Sequence, residues 1–162
     1  MSFKERIFKV LSEIPDPEIP VISIVELGVV RDVKELDNNS IEVTITPTYS
    51  GCPAMKQMED DVVSKLKENG FTDVKVKMVY SPAWTTDWLT TEAKLKLQAY
   101  GIAPPEESTN DKSFLTGKHK AVTCPRCKSK NTTLISQFGS TACKALYKCS
   151  DCLETFDYFK CI

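Results

Sequence analysis

Cys124-Pro125-Arg126-Cys127 and Cys149-Ser150-Asp151-Cys152 are two CxxC pairs with 21 residues between them. Two intervening residues let both sulfurs of a tight turn face one ion, and a second such turn completes a tetrahedron. The stretch between the pairs holds Thr132–Phe138, a Gly139-Ser140 break and Ala145–Lys148, enough for strands that join the turns. The spacing predicts a zinc ribbon with Cys124, Cys127, Cys149 and Cys152 as ligands. All four donors would come from the chain, which makes the site closed and structural. Iron held in the manner of rubredoxin, or a labile cluster, is the competing occupant. A segment of about forty residues builds too small a core by itself, so the metal would supply folding free energy.

Six of the seven cysteines fall between Cys124 and Cys161. A reducing compartment keeps such thiols free, and an odd total argues against a full disulfide framework. The cysteine usage, with no run approaching 18 apolar residues and an N-terminus that lacks a secretory pattern, predicts a cytoplasmic, non-membrane protein. Cys143 and Cys161 have two readings: small buried apolar groups, or a second metal or cluster site shared across subunits.

Residues 118–162 carry 8 basic and 3 acidic side chains, a balance of +5, against 13 and 19, a balance of −6, in residues 1–117. Four thiolates and a divalent ion sum to −2, and Lys120, Arg126, Lys128, Lys130 and Lys148 would offset that charge. A nucleic-acid-binding ribbon is the main competitor, because Phe138, Tyr147, Phe156, Tyr158 and Phe159 are interleaved with the basic residues. Aromatic residues at strand spacing equally serve a ribbon's own packing. His119, near the linker, is the sole histidine, too few for the paired Glu-x-x-His motifs of a helical di-iron site and the one residue a Ser/His/Asp triad would have to use.

Upstream of the ribbon, residues 103–118 lack apolar periodicity and read as a linker. Residues 1–102 read as an α+β domain, a small mixed sheet with helices, and 119–162 as the ribbon. Ser2 and Glu5 form a capping-box pattern ahead of Phe3, Ile7, Val10, Leu11 and Ile14, with Pro15 as the stop. A turn of helix is expected at Ser23–Leu27, strands at Val29–Leu36 and Ile41–Ile45 around an Asp37–Ser40 turn, and a third strand at Val74–Met78. Between them a helix starts at Pro53, carries Met55, Met58, Val62 and Leu66 on one face, and stops at Asn69-Gly70. A last helix covers Thr91–Tyr100. Trp84 and Trp88 are either core residues or an anchor for a docking partner.

Cys52 stands alone in this first domain, directly before the helix at Pro53. A helix N-terminus carries partial positive charge and free N–H donors, a setting that suits anionic sulfur. The residues alone leave Cys52 as either a buried structural thiol or a reactive one. Asp16 and Glu18, in the proline-fixed loop Asp16-Pro17-Glu18-Ile19-Pro20, are either metal ligands or loop-forming residues.

Asp16-Pro17-Glu18, Leu27-Gly28-Val29-Val30 and Ile41-x-Val43-x-Ile45-Thr46 leading to Gly51-Cys52-Pro53 resemble the SufT-type iron–sulfur assembly family, whose domain also precedes Mrp-type cluster carriers. The carriers' phosphate-binding Gly-Lys-Ser/Thr loop is absent from this sequence. With Tyr80-Ser81-Pro82-Ala83-Trp84-Thr85-Thr86-Asp87-Trp88, Phe138–Cys149 and Phe156–Cys161 added, the whole chain resembles the PaaD (PaaJ) family of the phenylacetyl-CoA epoxidase system. The resemblance implies a non-catalytic accessory role in maturing a metal centre of a multicomponent monooxygenase. It implies partnership with the oxygenase and reductase subunits, and the acidic and basic parts would also suit a homodimer. It further implies that Cys52 is a transient ligand of iron or an iron–sulfur cluster, with Asp16 and Glu18 nearby.

Overall fold

The computed structural model describes residues 1–49, 51–106 and 121–160, which form two compact units, 1–84 and 85–162.

In the first unit, α1 (Phe3–Leu11) opens on the expected capping box: the Glu5 N–H donates to Ser2 Oγ at 3.2 Å and the Ser2 N–H to Glu5 Oε2 at 2.6 Å. The helix ends at Leu11, before Pro15, and Ile14 is buried as part of the loop that follows. β1 (Val30–Glu35) and β2 (Ser40–Ile45) form an antiparallel hairpin. Its turn places Asn38 and Asn39 at φ 58° and 61°, a left-handed pair that asparagine tolerates. α2 (Ala54–Glu68) then crosses to β3 (Asp73–Met78), which pairs parallel with β2 in register from Ser40↔Asp73 to Ile45↔Met78. The sheet order is β1-β2-β3. Ile41, Val43 and Ile45 alternate inward along β2 and are fully buried, as are Val62 and Leu66 of α2 and Leu11 of α1.

The long loop from Ser12 to Val29 is apolar inside: Ile14, Ile19, Ile22, Ile24, Leu27 and Val29 are all buried. Backbone bonds from the Asp16 N–H to the Ile22 carbonyl (2.9 Å) and from the Ile24 N–H to the Ile14 carbonyl (3.1 Å) fold it on itself. Ser23–Leu27 makes the single expected turn, closed by the Leu27 N–H on the Ser23 carbonyl and ended by Gly28 at φ 81°.

The second unit begins with a 3₁₀ turn (Thr86–Trp88) and α3 (Thr91–Tyr100), which ends on left-handed Gly101 at φ 93°. β4 (Ile102–Ala103), β5 (Thr132–Ser136), β6 (Lys144–Cys149) and β7 (Thr155–Phe159) form a four-stranded sheet in the order β4-β7-β6-β5. β5, β6 and β7 pair antiparallel, and β4 adds parallel to β7. Composition divides the chain after Ile102, whereas the structure groups α3 and β4 with the ribbon. Two residues have no periodicity, so β4 left no signal. The core of this unit gathers Ala103, Val122, Cys124, Ala145, Tyr147, Cys149 and Phe156. Tyr147 stacks on Phe156 at 5.9 Å and meets Tyr158 edge-on at 5.6 Å. No helix among the described residues is long and apolar enough to cross a membrane.

Candidate functional site

The two CxxC turns are built alike. The Cys124 N–H donates to the Ser129 carbonyl at 2.8 Å and the Cys149 N–H to the Glu154 carbonyl at 2.9 Å, each spanning five residues. Lys128 and Leu153, each four residues after its leading cysteine, both turn left-handed at φ 65° and 64°. A positive φ is uncommon for such side chains, and its repetition at equivalent positions marks one knuckle used twice. The Asp151 carboxylate couples the two turns through Ser129 Oγ and Asn131 Nδ2, and these bonds hold it below the ordinary aspartate value.

The turns bring all four sulfurs within 4.8 Å of one another. Cys124 and Cys152 Sγ lie 3.7 Å apart, and Cys127 and Cys149 Sγ 3.5 Å. Sulfurs at 2.3 Å from a tetrahedral ion would stand about 3.8 Å from each other. Donor type, number and spacing therefore fit a four-thiolate metal, and Cys124, Cys127, Cys149 and Cys152 carry free thiols. Cys149 is drawn down to about 7, chiefly by the Cys152 backbone N–H, against burial and with help from the Asp151 N–H. The Glu154 N–H pulls Cys152 the same way, but burial and hydrogen bonds with the three neighbouring thiols outweigh it and push that thiol up to about 12. Crowded thiols share protons that a cation would replace.

Cys143 stays outside this group. It is buried, with Thr141 Oγ1 at 3.0 Å from its sulfur. Cys161 and His119 lie outside the described residues. Of the aromatic residues that suggested nucleic acid, Tyr147, Phe156 and Phe159 are buried and Tyr158 packs on the core. Phe138 alone of the five is largely exposed, under the Lys160 ammonium at 4.6 Å.

In the first unit, Val30, Ile45 and Met78 share one row across the sheet. That row marks the carboxyl ends of parallel β2 and β3, the end where open α/β sheets bind ligands. Three connections leave from it. The Thr46 N–H donates to the Val29 carbonyl (2.9 Å) and the Val79 N–H to the Ile45 carbonyl (2.9 Å). Trp84, buried, donates from Nε1 to the Leu27 carbonyl at 2.9 Å, tying the segment after β3 to the Ser12–Val29 loop. This makes Trp84 a core residue; Trp88 is half-buried.

Cys52 sits on the connection from β2 to α2 and is buried. Pro53 serves as the N-cap, so α2 starts one residue later than expected, with no side-chain cap and no acid in its first turn. Asp16 is buried, and its Oδ1 accepts from the Glu18 N–H (2.9 Å) and the Ile19 N–H (2.7 Å), an Asx turn that shapes the loop. Glu18 is the more accessible acid of the pair. Among the described residues the four ribbon cysteines are the one set of three or more metal-ligating side chains gathered this closely; Cys52, Asp16 and Glu18 form no such set. Sequence reasoning missed Asp151, which is visible inside the second CxxC, and Thr46, whose burial carries no sequence signal.

Two family descriptions match the sequence. Residues 4–78 match one described as an iron–sulfur cluster assembly protein, and residues 108–160 one described as a PaaD zinc beta ribbon domain. The chain is 51% identical over 157 residues, 97% of its length and 92% of the relative's, to an Escherichia coli (strain K12) protein named as a subunit of the "Putative 1,2-phenylacetyl-CoA epoxidase". It is 35% identical over 97 residues to the Fe-S protein maturation auxiliary factor YitW of Bacillus subtilis (strain 168), covering 59% of this chain and 94% of that one. A crystal structure of a domain of unknown function, DUF59, from Bacillus anthracis is similar with a TM-score of 0.55 at 33% identity, over 59% of this chain and 91% of that one.

Proposed function

The chain belongs to the PaaD family, in which an iron–sulfur assembly domain precedes a zinc ribbon, and on that premise we propose that it is a non-catalytic maturation factor for the phenylacetyl-CoA epoxidase system. It would work in the cytoplasm beside the oxygenase and reductase subunits and help to install or repair an iron–sulfur or di-iron centre. The ribbon metal, on this reading zinc, has four thiolates and no open position for chemistry. Handling of iron therefore falls to the first unit.

The observation that carries this reading is the position of Cys52, on a strand-to-helix connection at the carboxyl end of parallel β2 and β3, within the part matched to iron–sulfur assembly proteins. Its sulfur would hold iron or a cluster in passing. Asp16 shapes the adjoining loop through its two backbone bonds, and Glu18 supplies the accessible carboxylate.

The test is reconstitution of the epoxidase with wild-type chain or with Cys52→Ser. The variant should fold with an unchanged melting temperature, while iron and cluster content of the partner subunits and their activity fall about tenfold or more. Unchanged metal content and activity would sink the proposal.

A further inference from the structure

Thr46 is 1% exposed, and its Oγ1 has no hydrogen-bond partner among the described residues. A buried hydroxyl left unpaired costs stability that valine, nearly the same shape, would not. Its place is specific. Thr46 follows the last residue of β2, is anchored by its own N–H to Val29, and stands six residues before Cys52 on the same connection. That connection enters α2 with no acid in the first turn and no side-chain cap. An orphaned hydroxyl, a buried thiol and a helix N-terminus without a side-chain cap thus follow one another along one short stretch of sequence.

We propose that Thr46 is a second binding group of the Cys52 site, its hydroxyl donating a hydrogen bond to a sulfur of the iron–sulfur cargo. This rests on the reading of Cys52 given above. Sulfide and thiolate sulfurs are anionic acceptors, and hydrogen bonds to them are a recognised means of holding and tuning such groups. The hydroxyl remains in the fold at a cost because its partner arrives with the cargo.

The experiment uses the full chain with its ribbon loaded with zinc, incubated anaerobically with ferrous iron and sulfide and then gel-filtered. Iron and acid-labile sulfide per chain are measured for wild type, Thr46→Val, Thr46→Ser and Cys52→Ser, beside each melting temperature. Thr46→Val should melt at or above the wild-type temperature yet retain roughly tenfold less iron above the Cys52→Ser background, the worth of a hydrogen bond to a charged group. Thr46→Ser should restore retention. Wild-type retention in Thr46→Val overturns the proposal, and so does a lowered melting temperature that serine rescues, since the hydroxyl would then hold the fold. Wild-type chain that retains no more iron than Cys52→Ser removes the Cys52 reading, and the Thr46 role with it.

Discussion

A Cys149→Ser chain is expected to purify with less than about half an equivalent of zinc and without a folded ribbon. Cys149 is fully buried, belongs both to the four-cysteine set and to the packed core, and has its thiol drawn down to about 7. Structural zinc in small domains is worth about 10–16 kcal/mol, more than a ribbon core supplies by itself. Removing one of four thiolates should therefore abolish the β5–β7 sheet, seen as lost amide dispersion for residues 121–160. Acid should act through the same centre. Without metal the Cys149 thiol is drawn down to about 7 and the Cys152 thiol is pushed up to about 12, whereas a bound metal would keep both ionised. Metal-bound stability is thus present at higher pH and is lost as protons compete for sulfur on lowering the pH. Zinc release followed with a colorimetric chelator should steepen below about pH 7; release that grows with rising pH would contradict this account. A folded, zinc-free Cys149→Ser ribbon would show that the core suffices.

Trp84→Ala should be the most damaging single truncation in the first unit, costing about 3–5 kcal/mol. The indole is 2% exposed and also supplies the donor for the Leu27 carbonyl. Its loss opens a cavity and releases the contact that holds the Ser12–Val29 loop against the segment after β3. Trp84→Phe should cost less, keeping most apolar contact while leaving the carbonyl unpaired. Trp88→Ala, at a half-buried position, serves as the control. Urea unfolding followed by circular dichroism provides the comparison. Equal midpoints for the Trp84 and Trp88 truncations would mean that Trp84 does not carry the core.

Features written in local chemistry were legible in the sequence. The Ser2–Glu5 box, the Met55–Met58–Val62–Leu66 face and the two CxxC turns each bring their partners together over a few residues, and each formed as read. What depends on distant contacts was not legible. Trp84 read equally as an interface anchor until its partner, 57 residues away, was seen. The direction of β3 follows from the α2 crossover rather than from its own residues. Pro15 limits where α1 can end without setting the end, since Ser12 already caps the helix at Leu11. For the site, spacing picked out the four cysteines whose sulfurs the ribbon gathers. Cys52 was visible through its place before Pro53, but the burial of Asp16 and its capture by two backbone N–H groups were not.

The two-residue strand β4 has a consequence for how the chain tolerates cutting. Ala103 is clamped beside Tyr158, and Val122 is fixed by its N–H on Thr132 Oγ1 at 3.0 Å. Both ends of the intervening stretch are thereby fastened within one unit, the one that carries the four-cysteine set. A protease nick between residues 103 and 122 should leave two pieces that co-elute while zinc is bound and part when it is chelated. A truncation starting at residue 119 would strip the outer edge of β7 of its neighbour.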